Sequence, residues 1–315
     1  MAHRLTLLIT SPRVAPGLLT RDAWRALDSA AAIWAGEGEY QGRALMEAGL
    51  EVESRLPAPA AQLARDLVAA AEQGEVLWVG SADGDPGLTD AIAAEVSRLP
   101  DPPEVELLIG SHDVQGARLL DVVAVMDRLR SPGGCPWDAQ QTPLSLVPYL
   151  LEETHEAIEA IESGGSAHVR EELGDLLLQV AFQSRVAEED PEAPFDIDDV
   201  AGGLVEKLVR RHPHVFGSAD AATPEAVEAN WAAIKASEKP DRSHPLEGIP
   251  QSLPALARAD KAISRLERAG LQNRVDEATE GDDLGARMLR LVREARAAGV
   301  DAEATLRATL RRLAE

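Results

Sequence analysis

Leu150-Leu151-Glu152-Glu153-Thr154-His155-Glu156-Ala157-Ile158 and Glu171-Glu172-Leu173-Gly174-Asp175-Leu176-Leu177-Leu178-Gln179-Val180 are the two runs that decide how this chain folds. In the first, Val147, Leu151, Ile158 and Ile161 recur at helical spacing, and in the second Leu173, Leu176, Leu177 and Val180 do the same. Each run therefore reads as a helix with an apolar stripe. Each also gathers carboxylates on one side: Glu153 and Glu156 are three apart, Glu152 and Glu156 four apart, Glu172 and Asp175 three apart. Like charges at these spacings destabilise a helix by roughly 0.2–0.5 kcal/mol per pair. A helix that keeps them beside its apolar stripe needs a compensating cation. Fifteen residues lie between Glu156 and Glu172, including Ser163-Gly164-Gly165-Ser166. That is enough for an antiparallel return, which would bring the two sets of carboxylates face to face. Hard oxygen donors of this kind suit Mg²⁺ or Mn²⁺. The bland alternative, a solvated acidic face, fits any one Glu better than it fits the paired pattern flanked by leucines.

Helical signals extend on both sides of this pair. Val122–Arg130 precedes it; Ile197–Arg211 follows, and then a helix opened by Thr223-Pro224, with Thr as cap and Pro at the first position. On the Ile197–Arg211 helix, Lys207 and Arg211 stand four apart, suited to phosphate by point charge and by bidentate fork respectively. Trp231 and Lys235 share one face of the next helix, where Trp can stack on a base or fill a core poor in aromatics. Arg211-His212-Pro213-His214 reads as a helix stop rather than a metal pair, and Cys135 as structural.

Upstream, Leu5–Ile9, Val76–Val79 and Val105–Ile109 are short apolar runs bounded by Gly, Ser and Pro. With helical patterns over Gln62–Glu72 and Thr89–Arg98 between them, they predict a parallel α/β sheet. Downstream, amphipathic helices are expected near Leu256–Ala269, Gly285–Ala298 and Glu303–Leu313, with Asp276–Asp283 as an acidic loop.

Composition agrees with a multidomain α/β plus all-α protein. The chain has 315 residues, about two domains at ~150 each. Hydrophobic residues make up 45% but aromatic ones only 3%, so Ala, Leu and Val must fill the cores. A net charge of −23 argues against binding a nucleic acid polymer, while leaving room for a nucleotide site whose field a metal inverts. One cysteine allows no intrachain disulfide, and no run has the length of a signal peptide or membrane span, so a cytoplasmic protein is expected. Gly80-Ser81-Ala82-Asp83-Gly84-Asp85-Pro86-Gly87 lacks the Gly-Lys-Ser/Thr ending of a phosphate-binding loop.

Taken together, Gly134-Cys135-Pro136-Trp137-Asp138, Gln141-Thr142, Tyr149 to Glu156, Glu171 to Gln179, Lys207, Arg211 to Phe216, Trp231 and Lys235 resemble the MazG nucleotide pyrophosphohydrolases, in order over residues 124–240. The resemblance implies an all-α helical bundle completed by homodimerisation, and Mg²⁺-dependent hydrolysis of (deoxy)nucleoside triphosphates to the monophosphate and pyrophosphate, with Mn²⁺ as a substitute. It implies Glu153, Glu156, Glu172 and Asp175 as metal ligands, and Glu152 and Glu153 as the candidates to activate water. Lys207, Arg211, Trp231 and Lys235 would hold the nucleotide. A role in clearing the nucleotide pool is the reading it favours; a nucleotide-sensing module without turnover is the alternative.

The domains expected are 1–113, 114–240 and 241–315. Leu19-Thr20 and Gly84-Asp85-Pro86 give the first a similarity to a truncated tetrapyrrole-methylase domain. Ser11-Pro12-Arg13-Val14-Ala15-Pro16 replaces the Gly-rich turn a methylase uses, so no methyl transfer is expected. Gln251 to Asp260 is similar to the opening of a second MazG repeat, and Asp282-Asp283-Leu284-Gly285-Ala286 aligns with Glu171 to Asp175 but puts Ala where Asp stands. The last domain is therefore expected to be a degenerate repeat without a site.

Overall fold

The computed structural model describes residues 3–218, 223–238 and 244–314. It divides into two compact units, Met1–Gly202 and Gly203–Glu315.

The first unit opens with five strands, β1 (Arg4–Ile9), β2 (Ala32–Gly36), β3 (Val52–Arg55), β4 (Glu75–Val79) and β5 (Glu104–Ile109), all parallel in the order β3-β2-β4-β1-β5. The three strands expected from apolar runs are present, and Leu5, Leu8, Leu77 and Val79 are fully enclosed. β2 and β3 were not foreseen. β3 is an edge strand of Val-Glu-Ser-Arg, where one side needs no apolar cover, and β2 is only five residues long. Between the strands lie α1 (Arg21–Ser29), α2 (Tyr40–Glu47), α3 (Ala60–Ala71) and α4 (Leu88–Val96). The unforeseen α1 starts where the Thr20 side chain accepts from the Ala23 amide at 3.3 Å, a cap that offsets its polar composition.

The same unit continues into helices. α5 (Arg118–Arg130) is tied back to the strands by Arg13, whose guanidinium donates to Asp113 and, at 2.9 Å, to Asp121. α6 (Val147–Ser163) and α7 (Ser166–Ala187) form the expected antiparallel hairpin. Gly164 makes the turn at φ +80°, a left-handed conformation that other residues adopt only with strain. Met126, Leu146, Ala181, Phe182 and Val186 form the core between α5 and the far half of α7. Over it, Trp137 stacks edge-on with Tyr149 and Phe182 at 5.7 and 6.3 Å. The loop that delivers Trp137 turns at Gly134, where a Cβ would stand 2.3 Å from two backbone oxygens, and the Cys135 amide donates to Leu129 at 2.7 Å. The Gly134-Cys135-Pro136-Trp137 motif is thus a packing device.

α8 (Ile197–Arg211) carries the boundary between the units. In the second unit follow α9 (Pro213–Phe216), α10 (Pro224–Ser237), α11 (Ala255–Arg268), α12 (Gln272–Glu280), α13 (Leu284–Ala297) and α14 (Ala302–Ala314). Thr223 caps α10 as expected, accepting from the Ala226 amide at 3.3 Å. Ile263, Val275 and Val292 centre a small core among α11 to α13. α12 corrects the expectation of a loop over Asp276–Asp283. Its buried face is only Val275 and Thr279, four apart, too little apolar pattern to read among acidic residues. Arg290 donates two bonds to the Thr279 carbonyl, satisfying the helix end that no residue of α12 itself can reach. Among the described residues no helix is long and apolar enough to cross a membrane.

Candidate functional site

The α6–α7 hairpin brings together what the sequence placed apart. Glu153 and Glu156 on α6 and Glu172 on α7 each offer a carboxylate oxygen, all within 4.8 Å of one another. The approach is allowed by small residues: Ala157 and Ala160, on the inner side of α6, are buried. Glu172 is only 8% exposed, and its Oε2 is buried without a hydrogen-bond partner among the described residues. Its Oε1 lies 3.0 Å from Nε2 of His168, one turn earlier on α7.

Asp175 falls outside the group of three whose oxygens meet, yet it is the charge that acts most on Glu153. Burial first, and then the charges of Asp175, Glu156, Glu172 and Glu152, push the Glu153 carboxyl above the usual range. Glu152 stands exposed beside this group. A buried carboxylate oxygen left unpaired is costly, and so is a set of like charges at this separation. One divalent cation would relieve both, so the donor set fits hard, oxygen-seeking Mg²⁺ or Mn²⁺. The His168 imidazole is half-exposed and engages a single oxygen.

In the second unit, Trp231 is 36% exposed, with Lys235 Nζ 4.7 Å from the ring centre and the Arg211 guanidinium carbon at 5.3 Å. Three of the four residues expected to hold a nucleotide therefore share one cluster. Lys207, half-buried, stands one turn before Arg211 on α8. The residue that sequence reading missed is Glu238: it accepts from Arg211 Nη2 at 2.5 Å and Arg210 Nε at 2.8 Å, and these bonds hold its carboxyl down to about 2. A Glu three residues after a Lys in a helical pattern carries no signal beyond a surface pair. The His212 and His214 rings lie 5.6 Å apart, and His212 Nδ1 lies 2.7 Å from the Leu208 carbonyl.

At the carboxyl ends of β1, β4 and β5 a crevice of about 420 Å³ is lined by Arg13, Ser81, Asp83, Asp85 and Asp113. Its loop closes on its own carboxylate. Asp85, at φ +49°, accepts from Trp78 Nε1 at 2.8 Å, the Ser81 amide at 3.1 Å and the Ser81 hydroxyl at 2.6 Å. A donor set committed to an internal anion does not cradle phosphate.

Residues 141–216 match the MazG nucleotide pyrophosphohydrolase domain. The chain is 52% identical over 231 residues to an uncharacterized 26.1 kDa protein of Streptomyces cacaoi, covering 73% of this chain and 94% of the other. It is 37% identical over 215 residues to the nucleoside triphosphate pyrophosphohydrolase/pyrophosphatase MazG of Thermotoga maritima, covering 62% of this chain and 82% of that one. With the nucleoside triphosphate pyrophosphohydrolase of Mycolicibacterium smegmatis it shares 47% identity over 167 residues, 52% of this chain and 51% of the relative. The chain thus spans about half the length of that mycobacterial enzyme.

Proposed function

The chain belongs to the MazG nucleotide pyrophosphohydrolase family, and we propose that its α6–α7 carboxylates form a divalent-metal site at which a (deoxy)nucleoside triphosphate is cleaved. It is an enzyme carrying the nucleoside triphosphate pyrophosphohydrolase domain, whose reaction yields the monophosphate and pyrophosphate. The observation that carries the site assignment is the buried, unpartnered Glu172 oxygen beside two further carboxylates from the facing helix.

In this reading Glu153, Glu156, Glu172 and Asp175 hold Mg²⁺, for which Mn²⁺ can substitute. The ion, when bound, supplies positive charge opposite the phosphate oxygens and acidifies water. The protein's own part is proton transfer and positioning. Glu152 or Glu153 accepts a proton as a water oxygen bonds to phosphorus. The bond to the bridging oxygen breaks and its electron pair leaves with pyrophosphate. Lys207, Arg211, Trp231 and Lys235 are assigned to the nucleotide: cations for phosphate, the indole for a base. Clearance of unwanted nucleotides in the cytoplasm is the role proposed. A hydrolysis screen over standard and oxidised (d)NTPs, with Mg²⁺ and with excess EDTA, tests it. Nucleotide binding without release of monophosphate and pyrophosphate would instead favour a sensing module, and full turnover in EDTA would exclude the metal.

The shift on Glu153 gives a second test. A carboxyl whose folded-state pKa is raised costs stability above that pKa, and the cost disappears as pH falls below the unfolded value near ~4.3. Glu153→Gln should therefore melt higher than the wild type near neutral pH in EDTA, with the difference shrinking towards pH ~4.3. Carboxyls held low elsewhere, such as Glu189 paired with Arg130, lose their stabilisation on acidification in both proteins and cancel in the comparison. A variant less stable at neutral pH would contradict the assigned electrostatics.

We assign residues 1–113 to a methylase-like remnant, 114–240 to the catalytic domain and 241–315 to a degenerate repeat. The internally bonded Asp85 loop supports the first assignment. For the last, Asp283 is spent as a helix cap, accepting from the Ala286 amide at 3.0 Å at the start of α13, and Ala286 offers no ligand. Deleting residues 241–315 should leave turnover per folded site largely unchanged while lowering the melting temperature. A well-folded, dimeric truncation without activity would show that this segment contributes chemistry.

A further inference from the structure

We propose that His168 is a positioning residue that sets the orientation of Glu172 for metal binding; this rests on the metal reading above. His168 lies in the first turn of α7, four residues before Glu172, so the two side chains meet on one side of the helix. With a proton on Nε2, the imidazole donates to Glu172 Oε1 at 3.0 Å. That bond engages one oxygen and leaves the other, Oε2, buried and unpartnered. A hydrogen bond to one oxygen restricts rotation about the last torsion and so favours one direction for the second.

Glu172 is the member of the acidic group for which this matters most. It is the buried one, while Glu153 is half-buried and Glu156 exposed, with room to adjust. His168 itself is half-exposed and lies in none of the hydrophobic cores, so its bond to Glu172 is not explained by packing. Hydrogen-bond partners of metal-ligating groups typically govern affinity by about 10–100-fold, because a wrongly oriented ligand must be reorganised on binding.

The test is a calorimetric titration of Mn²⁺ into the full-length wild type, His168→Ala, His168→Gln and Glu172→Gln, with melting temperatures of each apo-protein. His168→Ala should weaken Mn²⁺ binding by about 10–100-fold with little change in melting temperature. His168→Gln, whose amide can donate along the same path, should restore most of it. At saturating Mn²⁺ the alanine variant should recover kcat, so that the defect lies in the metal requirement. Wild-type Mn²⁺ affinity in His168→Ala, or a loss that glutamine does not repair, overturns the positioning role. The Glu172→Gln arm separates the two levels. If it binds Mn²⁺ like the wild type, the metal site itself is misassigned; if it loses binding while His168→Ala does not, only the role of His168 fails.

Discussion

Glu172→Gln is expected to lower turnover at least about a hundredfold, the scale on which removal of a single preorganised electrostatic group acts in an active site, while leaving the fold intact. Glutamine keeps the volume and the oxygen facing His168, so the packing of α7 should survive. What it removes is the negative charge whose second oxygen has no partner among the described residues. Asp175→Ala should be nearly as damaging to activity, although Asp175 stands outside the group of three oxygens that already meet. It is implied as a ligand by the family motif, and its charge is the first among those that raise the Glu153 carboxyl. The apo-proteins should respond in the opposite sense to the enzyme. Both substitutions relieve repulsion at Glu153, so neither should destabilise the metal-free chain strongly, and Asp175→Ala is expected to raise its melting temperature. Steady-state kinetics with Mg²⁺, paired with thermal melts in EDTA, check both halves. Wild-type turnover in either variant would move the site elsewhere. A large drop in apo-stability would mean that the carboxylates are structural.

How much of this was legible follows from where the determinants lie. The hairpin could be read because its signals are local: helical spacing on both sides of Gly164-Gly165, and carboxylates three and four apart that repel unless something binds them. The strands β1, β4 and β5 carry apolar runs, whereas β3 has one apolar residue in four and exposes two others. In the single chain the apolar stripe of α7 is only partly covered. The expected stripe is Leu173, Leu176, Leu177 and Val180, whereas the residues buried within the chain are Glu172, Gln179, Ala181, Phe182, Ser184, Val186 and Ala187. Three of those seven, Glu172, Gln179 and Ser184, are polar, and no periodicity argument based on apolar residues would select them. Glu172 was selected as a candidate ligand from its charge, while its burial, which sets it apart from the other carboxylates, was not visible. The bond between His168 and Glu172 was available at spacing four but is common among surface pairs. Only the unpaired second oxygen gives it meaning. The partnership of Arg211 with Glu238 spans 27 residues and depends on how α8 and α10 fold back, which local pattern does not report.

The partly covered stripe leads to the second large effect. Leu151 and Ile161 on α6 are 53% and 58% exposed, and Leu173 and Val180 on α7 are 51% and 44% exposed. Single exposed apolar residues are ordinary, but these lie at the spacings 151–158–161 and 173–176–180 that define continuous helix faces. We expect a second copy of the chain to cover them in a four-helix arrangement, with the same patch meeting itself across a two-fold axis. Sedimentation at micromolar concentration should show a dimer. The double variant Ile161→Glu, Val180→Glu should be a monomer: each charge occurs twice in such an interface, and four charges at even about 1.4 kcal/mol apiece weaken it roughly 10⁴-fold. Both positions lie away from the acidic group, five residues beyond Glu156 and five beyond Asp175. Lost activity in that variant would therefore report the loss of the assembly rather than of a ligand. A wild-type chain that sediments as an active monomer would show that these faces are covered some other way, and that one α6–α7 hairpin is sufficient for catalysis.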